Sequence, residues 1–274
     1  MCVIVAKPKG VEMPSAEVLR RCFQSNPDGS GFMWADGDVV HVRKGYMRFD
    51  DFLAALESEL PEDARTDMAV VMHFRIATHG RVIPGCCHPF PVTDDEELLR
   101  YPSVRCSLGV AHNGVIPGRE TGDAWSDTMD FVAEVMAPLS RMMPDFMGDE
   151  DAEAMLEGAC RSKLAILDWS GSLMTVGKFI EDEGVLYSNS SYLPKLWEAP
   201  GYGLAWDDYD EAYGESLEDL VGMLPFSACE VCPRSEECAL DYPYCYDESD
   251  ADEVCLGLLM EEEEEELEKL KLAS

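Results

Sequence analysis

Short apolar runs alternate with turns along the first 200 residues, and the spacing of apolar positions changes between strand-like and helix-like periods. Compact apolar runs bounded by glycine, proline or aspartate predict strands. Asn-Gly between apolar flanks is a strong hairpin signal. The pattern therefore predicts strands at residues 2–6, 32–35, 39–42 and 68–74, and hairpins over 107–116, bent at Asn113-Gly114, and over 163–176, bent at Ser170-Gly171.

Three segments of the same region show the apolar spacing of amphipathic helices. Ser15 is a candidate N-cap for the first of them, which follows directly. The second covers residues 52–60. The third covers residues 127–139, with Ser126 as its candidate cap. Strands and helices are therefore mixed in the predicted fold.

Composition limits the class of protein. The chain has 274 residues, of which 46% are hydrophobic, enough for one domain with an appendage. No apolar run approaches the roughly 18 residues that cross a bilayer, so no membrane association is expected. The first apolar run precedes Lys7 and Lys9, whereas a signal peptide carries its positive charge before its apolar stretch, so we expect no export signal here. The eleven cysteines are odd in number, so free, metal-bound or catalytic thiols in a reducing cytoplasm are expected.

Negative charge is concentrated near the end of the chain. The formal net charge is −34, and residues 207–274 contain 23 acidic and 3 basic residues. Such a field repels phosphate groups, so no nucleic-acid partner is expected. We predict a separate acidic, cysteine-rich extension over residues 207–274 that ends in a helix. Its glutamate run at 261–266 either remains solvated or docks on a basic partner protein.

Cys2 is a candidate nucleophile, because loss of Met1 would leave a thiol and a free α-amine on one residue. The ordinary pKa values of these groups are about 8.5 and 7.7–8.0, so the amine can act as the base for the thiol near neutral pH. No separate histidine is then required. The alternative is that Cys2 is a small apolar residue at the start of a strand.

Three further segments carry groups suited to a charged substrate. Arg75 follows a predicted strand, and its planar guanidinium can bind a carboxylate or pair with a core aspartate. Asn113 and Gly114 place a side-chain amide beside a backbone N–H, two donors suited to an oxyanion. Asp127 lies in the first turn of a predicted helix, where it can face an ammonium group.

These segments follow one another in a specific order. They are Cys2, Asn26-Pro-Asp-Gly-Ser-Gly31, His73-Phe-Arg-Ile-Ala-Thr-His-Gly80, His112-Asn-Gly114 and Ser126-Asp-Thr128. In this order the chain resembles the class II glutamine amidotransferase domain, and in particular its small standalone members. The resemblance covers about residues 2–195, and the domain is predicted over residues 2–200. It implies an α+β fold of the N-terminal-nucleophile hydrolase type, a four-layer αββα sandwich, followed here by the acidic extension.

The resemblance also implies roles for particular residues. Cys2 attacks the side-chain amide of glutamine and forms a thioester, while Asn113 and Gly114 hold the oxyanion. Four residues are implied to bind the substrate, namely Arg75, Thr78, His79 and Asp127. Glutamate and ammonia are the implied products, and hydrolysis requires no cofactor.

Two alternatives remain beside this interpretation. The same residues would serve a hydrolase of other γ-glutamyl amides. A non-enzymatic protein would instead display its acidic surface to other proteins on the same scaffold. If the enzymatic interpretation holds, the ammonia is expected to pass to a partner protein or to a small acceptor, because the short extension is too poor in core residues to form a synthase domain.

The extension carries a candidate metal site. Cys229 and Cys232 have the spacing of a zinc-binding pair, and Cys238 and Cys245 would complete four thiolates. A structural zinc ion would give this core-poor segment a reason to fold. The alternative is a loop of reduced thiols with aromatic packing.

Overall fold

The computed structural model describes residues 2–77, 81–119, 121–122 and 124–194, with the backbone alone at Asp63. Eleven strands lie within these ranges, and all their pairings are antiparallel. They are β1 (Val3–Lys7), β2 (Ser30–Ala35), β3 (Val40–Tyr46), β4 (Val70–Phe74), β5 (Phe90–Pro91), β6 (Ser103–Cys106), β7 (Leu108–Asn113), β8 (Lys163–Asp168), β9 (Leu173–Val176), β10 (Ile180–Asp182) and β11 (Val185–Tyr187).

The strands form two sheets. The larger has seven strands in the order β10-β11-β1-β4-β2-β3-β6, and the smaller has four in the order β5-β7-β8-β9. The longer helical segments are α1 (Ala16–Ser25), α2 (Phe49–Glu59), α3 (Glu96–Arg100), α4 (Asp127–Phe131), a π-helical turn (Val132–Met136), α5 (Ala137–Met142) and α6 (Glu150–Cys160). Single 3₁₀ turns cover Glu62–Arg65, Pro84–Cys86 and Ser190–Tyr192.

Alternation along β1 shows how the layers pack. Val3 and Val5 face a core shared with α1 and α2, whereas Ile4 and Ala6 face the smaller sheet. The far side of the smaller sheet packs against α4, α5 and α6. The described residues therefore form an α+β fold in which two antiparallel sheets face each other and helices cover both outer surfaces.

Local signals predicted several elements correctly. Ser15 caps α1, where its hydroxyl accepts a hydrogen bond from the Val18 N–H at 3.3 Å, and Ser126 caps α4 through the Met129 N–H at 3.2 Å. The hairpin over residues 163–176 is confirmed by the pairing of β8 with β9. The second helix begins earlier than predicted, at Phe49, because that side chain is buried in the core.

The hairpin predicted at Asn113-Gly114 is wrong. Asn113 ends β7, which pairs along its whole length with β8 on one edge and only at Gly109 and Val110 with β5 on the other. Among the described residues, the segment after Gly114 forms no strand that could pair with β7. It leaves the sheet at Gly114, whose φ of +139° favours glycine, and leads toward α4.

The extension lies outside the described residues. The compact unit that includes both sheets ends at Leu193. The boundary predicted between residues 200 and 207 and the helix predicted at the end of the chain are therefore outside the part that the structure describes.

Gly31 is a position where the sheet tolerates no side chain. A Cβ there would lie 2.3 Å from the His88 carbonyl oxygen and 2.6 Å from that of Arg43. We expect Gly31→Ala to lower the free energy of unfolding by about 3 kcal/mol, because backbone atoms would have to shift. Urea denaturation measures this change. Gly158→Ala is the control, since the site is open and helical, and it should raise stability by about 0.5–1 kcal/mol. Equal effects of the two substitutions would contradict the steric explanation.

Candidate active site

A cavity of about 240 Å³ opens where the N-terminal strand, the end of β4 and the start of α4 meet. Four residues predicted to act together line it, namely Cys2, Arg75, Gly114 and Asp127. These residues are separated by as many as 125 positions in the sequence, so only the packing of the two sheets brings them together. Thr78 and His79 lie outside the described residues.

Cys2 is half-buried, and its thiol contacts the backbone of the segment after β4. Its Sγ lies 3.4 Å from both the nitrogen and the carbonyl oxygen of Ile76. Burial raises the pKa of the thiol, while the Ile76 N–H and the charge of Arg75 act in the opposite direction. The Cys2 carbonyl accepts a hydrogen bond from Asn189 Nδ2 at 2.7 Å. The thiol is therefore held at the cavity by contacts on both sides of the residue.

Arg75 follows the last residue of β4 and is buried. Its backbone pairs with the turn at Asp28 and Gly29, with N–H···O distances of 2.8 Å in both directions. The Asp28 carboxylate accepts a further bond from the Ala77 N–H at 2.8 Å. The guanidinium donates to the Arg81 carbonyl at 3.0 Å. This turn therefore holds the backbone of Arg75 in place. The sequence showed Asp28 only as part of a glycine-rich turn and did not predict this role.

Asn113 and Gly114 take different positions relative to the cavity. Gly114 lines it, and a Cβ on this residue would lie 2.6 Å from Cβ of Ser162. The Asn113 side chain is buried just behind, and its Nδ2 lies 2.9 Å from Ser188 Oγ. The structure therefore places Gly114 in the cavity wall, whereas the side-chain amide of Asn113 contacts Ser188.

Asp127 is the first residue of α4, and its carboxylate is oriented by backbone donors. Oδ2 accepts from the Ile116 N–H at 2.8 Å, and Oδ1 accepts from the Thr128 N–H at 2.8 Å. Each carboxylate oxygen can accept a second hydrogen bond. Asp127 can therefore hold a cationic group in the cavity while it remains fixed to the protein.

One charge in the cavity wall, that of Arg119, was not predicted from the sequence. Arg119 lines the cavity beside Arg75 and Asp127, and its Nη1 lies 3.6 Å from Asp130 Oδ2. Its guanidinium also lies over the Phe131 ring, 5.4 Å from the centroid. An arginine in a loop carries no pattern that distinguishes it in sequence, so only its position identifies it.

Three buried histidines lie behind the cavity. The ring centroids of His73 and His88 are 4.2 Å apart, and those of His88 and His112 are 6.2 Å apart. Burial lowers the pKa of His73 to about 3 and that of His112 to about 4, and it lowers the pKa of His88 as well. All three are therefore neutral at pH 7, and they contribute hydrogen bonds without adding charge.

The partners of His112 determine its tautomer. Ser162 donates its hydroxyl proton to the Cys160 carbonyl at 3.0 Å, so its oxygen accepts from His112 Nε2–H at 2.7 Å. The other nitrogen, Nδ1, then accepts from the Thr128 hydroxyl at 2.8 Å. The Thr128 oxygen in turn accepts from His88 Nε2–H at 3.2 Å. This chain of hydrogen bonds fixes α4, and with it Asp127, against the strand that ends at Asn113.

Neither a metal site nor a membrane segment is found among the described residues. In those ranges no group of three or more His, Cys, Asp or Glu side chains is placed to hold a metal ion. None of the helices there has the length and apolar character of a membrane-crossing segment. The four cysteines predicted to bind zinc, Cys229, Cys232, Cys238 and Cys245, lie outside the described residues.

Comparisons with known proteins find similarity among solved structures. No protein-family model matches the sequence, and a search of curated proteins finds no significant match. Among solved structures, the chain is similar to glutamine phosphoribosylpyrophosphate amidotransferase from B. subtilis, complexed with ADP and GMP, at 15% identity and a TM-score of 0.37. The match covers 70% of this chain and 42% of that one, so this chain spans less than half the length of the solved protein.

Proposed function

We propose that the protein hydrolyses the side-chain amide of glutamine, with Cys2 as an N-terminal nucleophile after removal of Met1. The observation that carries this proposal is the joint presence in one cavity of a thiol, a guanidinium and a carboxylate, from Cys2, Arg75 and Asp127. We assign the fold to the αββα N-terminal-nucleophile hydrolases, in which the class II glutamine amidotransferase domain belongs. The layer order of helices, sheet, sheet and helices supports this assignment.

The proposed reaction uses the two functional groups of Cys2. The α-amine accepts the thiol proton as Sγ attacks the amide carbon, and the carbonyl oxygen becomes an oxyanion near the Gly114 N–H. The amine then returns the proton to the departing nitrogen, so ammonia leaves and a thioester remains. Water attacks the thioester next, which releases glutamate and restores the thiol.

The charges of the cavity support a free amino acid as the substrate. Arg75 would bind the α-carboxylate, together with Thr78 and His79, and Asp127 would bind the α-ammonium. A buried charge that loses its partner costs more than the hydrogen bond itself is worth, so the cavity should discriminate strongly against substrates that lack either group. Arg119 supplies a second cation on the same wall and would favour a carboxylate further.

The destination of the ammonia and the role of the extension are part of the same proposal. We propose that ammonia passes to a partner protein or a small acceptor, and that the extension serves contact with a basic partner. A zinc ion on Cys229, Cys232, Cys238 and Cys245 would stabilise that extension. Metal analysis of the purified chain, compared with a Cys229/Cys232 double substitution, tests the zinc site.

Substrate analogues test the proposed function directly. We expect glutamate release from L-glutamine, and at least about 10³-fold lower kcat/KM for 4-carbamoylbutanoate, which lacks the α-ammonium, and for 4-aminobutanamide, which lacks the carboxylate. Intact-mass measurement should show a chain without Met1. No amide hydrolysis by a chain that begins at Cys2 would contradict the proposal. Equal rates for glutamine and both analogues would contradict the assigned roles of Arg75 and Asp127.

A further inference from the structure

Ser188 joins the strand that carries the nucleophile to the side chain of Asn113. It follows β11 and is fully buried. Its N–H donates to the Ile4 carbonyl at 3.0 Å, and its Oγ accepts from the Ile4 N–H at 2.8 Å. The same Oγ lies 2.9 Å from the side-chain amide of Asn113. One hydroxyl therefore contacts both β1 and the residue that precedes Gly114.

The neighbours of Ser188 keep it in place. Its carbonyl accepts a hydrogen bond from Lys163 Nζ at 2.6 Å. The next residue, Asn189, donates from Nδ2 to the Cys2 carbonyl at 2.7 Å and accepts at Oδ1 from the Ser191 N–H at 3.0 Å. The backbone of Ser188 is therefore attached on both sides, and its hydroxyl cannot turn away from Asn113 without losing the hydrogen bond from the Ile4 N–H.

The hydrogen bonds around Ser188 Oγ do not balance when Asn113 Nδ2 is the atom that faces it. The hydroxyl oxygen would then accept from both Ile4 and Asn113, and its own proton would have no acceptor in the described part of the chain. Asn113 Oδ1 would also be buried without a partner. An unmet donor and an unmet acceptor would thus lie side by side in a buried position, where each is costly.

A half-turn of the amide gives both of these groups a partner and moves the unmet hydrogen bonds to the Asn113 nitrogen. The nitrogen and oxygen of an asparagine side chain are assigned from their hydrogen-bond partners, because the two atoms have nearly the same shape. With Oδ1 toward Ser188, the hydroxyl donates to Asn113 and accepts from Ile4. Nδ2 then occupies the buried position that has no partner among the described residues, so its two protons have no acceptor there until an oxygen enters beside Gly114.

We propose that Ser188 is a positioning residue that orients the Asn113 amide with its N–H groups away from β1, free to stabilise the oxyanion beside the Gly114 N–H. This inference rests on the proposed glutamine hydrolysis. Ser188 itself touches no reacting atom, so its effect on the reaction passes entirely through Asn113. It should therefore change the chemical step and leave both substrate binding and the reactivity of Cys2 intact.

Ser188→Ala separates this role from a structural one. We expect kcat for glutamine hydrolysis to fall about 10²-fold, with less than about 3-fold change in KM, because one oxyanion donor is no longer oriented. Alkylation of Cys2 by iodoacetamide builds no oxyanion, so its rate should stay within about 2-fold of wild type. Equal losses of kcat and of alkylation rate would overturn the proposal, since they would show that β1 had moved.

Three further variants complete the kinetic test. Ser191→Ala is the matched control, because it removes a hydroxyl from the same segment at a residue whose backbone N–H makes the contact with Asn189. It should keep wild-type kcat. Asn113→Ala should lower kcat as much as Ser188→Ala or more, and the double variant should be no slower than Asn113→Ala alone. Additive losses in the double variant would overturn the proposal.

A spectroscopic measurement tests the orientation without any enzymatic activity. In the isotope-labelled full chain, nuclear Overhauser contacts from the Asn113 NH₂ protons to the Ser188 Hβ protons should be weak in the wild type. Strong contacts would show that Nδ2 faces Ser188 and would overturn the proposal even if glutamine is hydrolysed. Weak contacts in a chain that does not hydrolyse glutamine would support the orientation while contradicting the proposed function, so the two failures are distinguishable.

Discussion

Replacement of Cys2 by alanine is expected to lower kcat/KM for glutamine by at least about 10⁴-fold, because the thioester can no longer form. The α-amine remains in Cys2→Ala, so the loss would measure the thiol alone. Initial rates of glutamate release over a range of glutamine concentrations that extends below KM measure kcat/KM. The substitution removes a half-buried side chain at the start of β1, so the melting temperature should change little.

Two other cysteines provide controls for this result. Cys86 lines the same cavity and is buried, whereas Cys106 lies on β6 with its Sγ 3.8 Å from the Val40 carbonyl oxygen. Cys106→Ala should keep the wild-type rate. Cys86→Ala should retain glutamine hydrolysis within about 10-fold, since no step of the proposed reaction uses its thiol. A larger loss of glutamine hydrolysis in Cys86→Ala than in Cys2→Ala would show that Cys2 is not the nucleophile.

Acid is expected to destabilise the protein through its three buried histidines. In the unfolded chain these side chains bind protons below their ordinary pKa of about 6.5, whereas burial lowers the pKa values of His73, His88 and His112 in the fold. The unfolded state therefore binds more protons, and stability falls as pH falls. We expect the free energy of unfolding to decrease by roughly 3–4 kcal/mol between pH 6 and pH 5, at about 1.4 kcal/mol per histidine and pH unit.

The chosen range isolates the histidines from other buried groups. Burial lowers the pKa of Lys7 to about 8 and that of Lys44 to about 7, so these lysines change stability mainly at higher pH. Carboxyl groups titrate mostly below pH 5. Urea denaturation at several pH values measures how the free energy of unfolding changes with pH. In His112→Gln this slope should correspond to about one bound proton fewer than in the wild type. If the free energy of unfolding of the wild type changes by less than one proton's worth, about 1.4 kcal/mol, between pH 6 and pH 5, the histidines are accessible to water.

Signals within a few residues predicted much of the fold. The caps at Ser15 and Ser126 were recognisable because a capping side chain bonds an N–H only three positions away. The hairpin of β8 and β9 was recognisable for the same reason, since its turn and both strands are adjacent in the chain. Asn113-Gly114 carries an equally strong local signal, but the strands that pair with β7 are β5 and β8, and no local pattern shows which strands become its neighbours.

The candidate site divides in the same way. Arg75 and Asp127 could be proposed as binding residues because each lies at the end of a recognisable element. The histidine cluster could not be predicted, because its members come from distant parts of the sequence. The position of Arg119 could not be predicted, because an arginine in a loop carries no distinguishing pattern. Ser188 belongs to this second group, since its bonds reach Ile4 and Asn113 across 184 and 75 positions.

The sequence by itself determined the residue types and order that make Cys2, Arg75, Gly114 and Asp127 candidates for one reaction. Tertiary structure alone decided that these residues share a cavity and that Asn113 is held behind its wall by Ser188. The physical reason lies in the range of the interactions. Caps and turns are set by neighbours in the chain, whereas burial, hydrogen-bond balance and pKa depend on whichever strands the two sheets bring together.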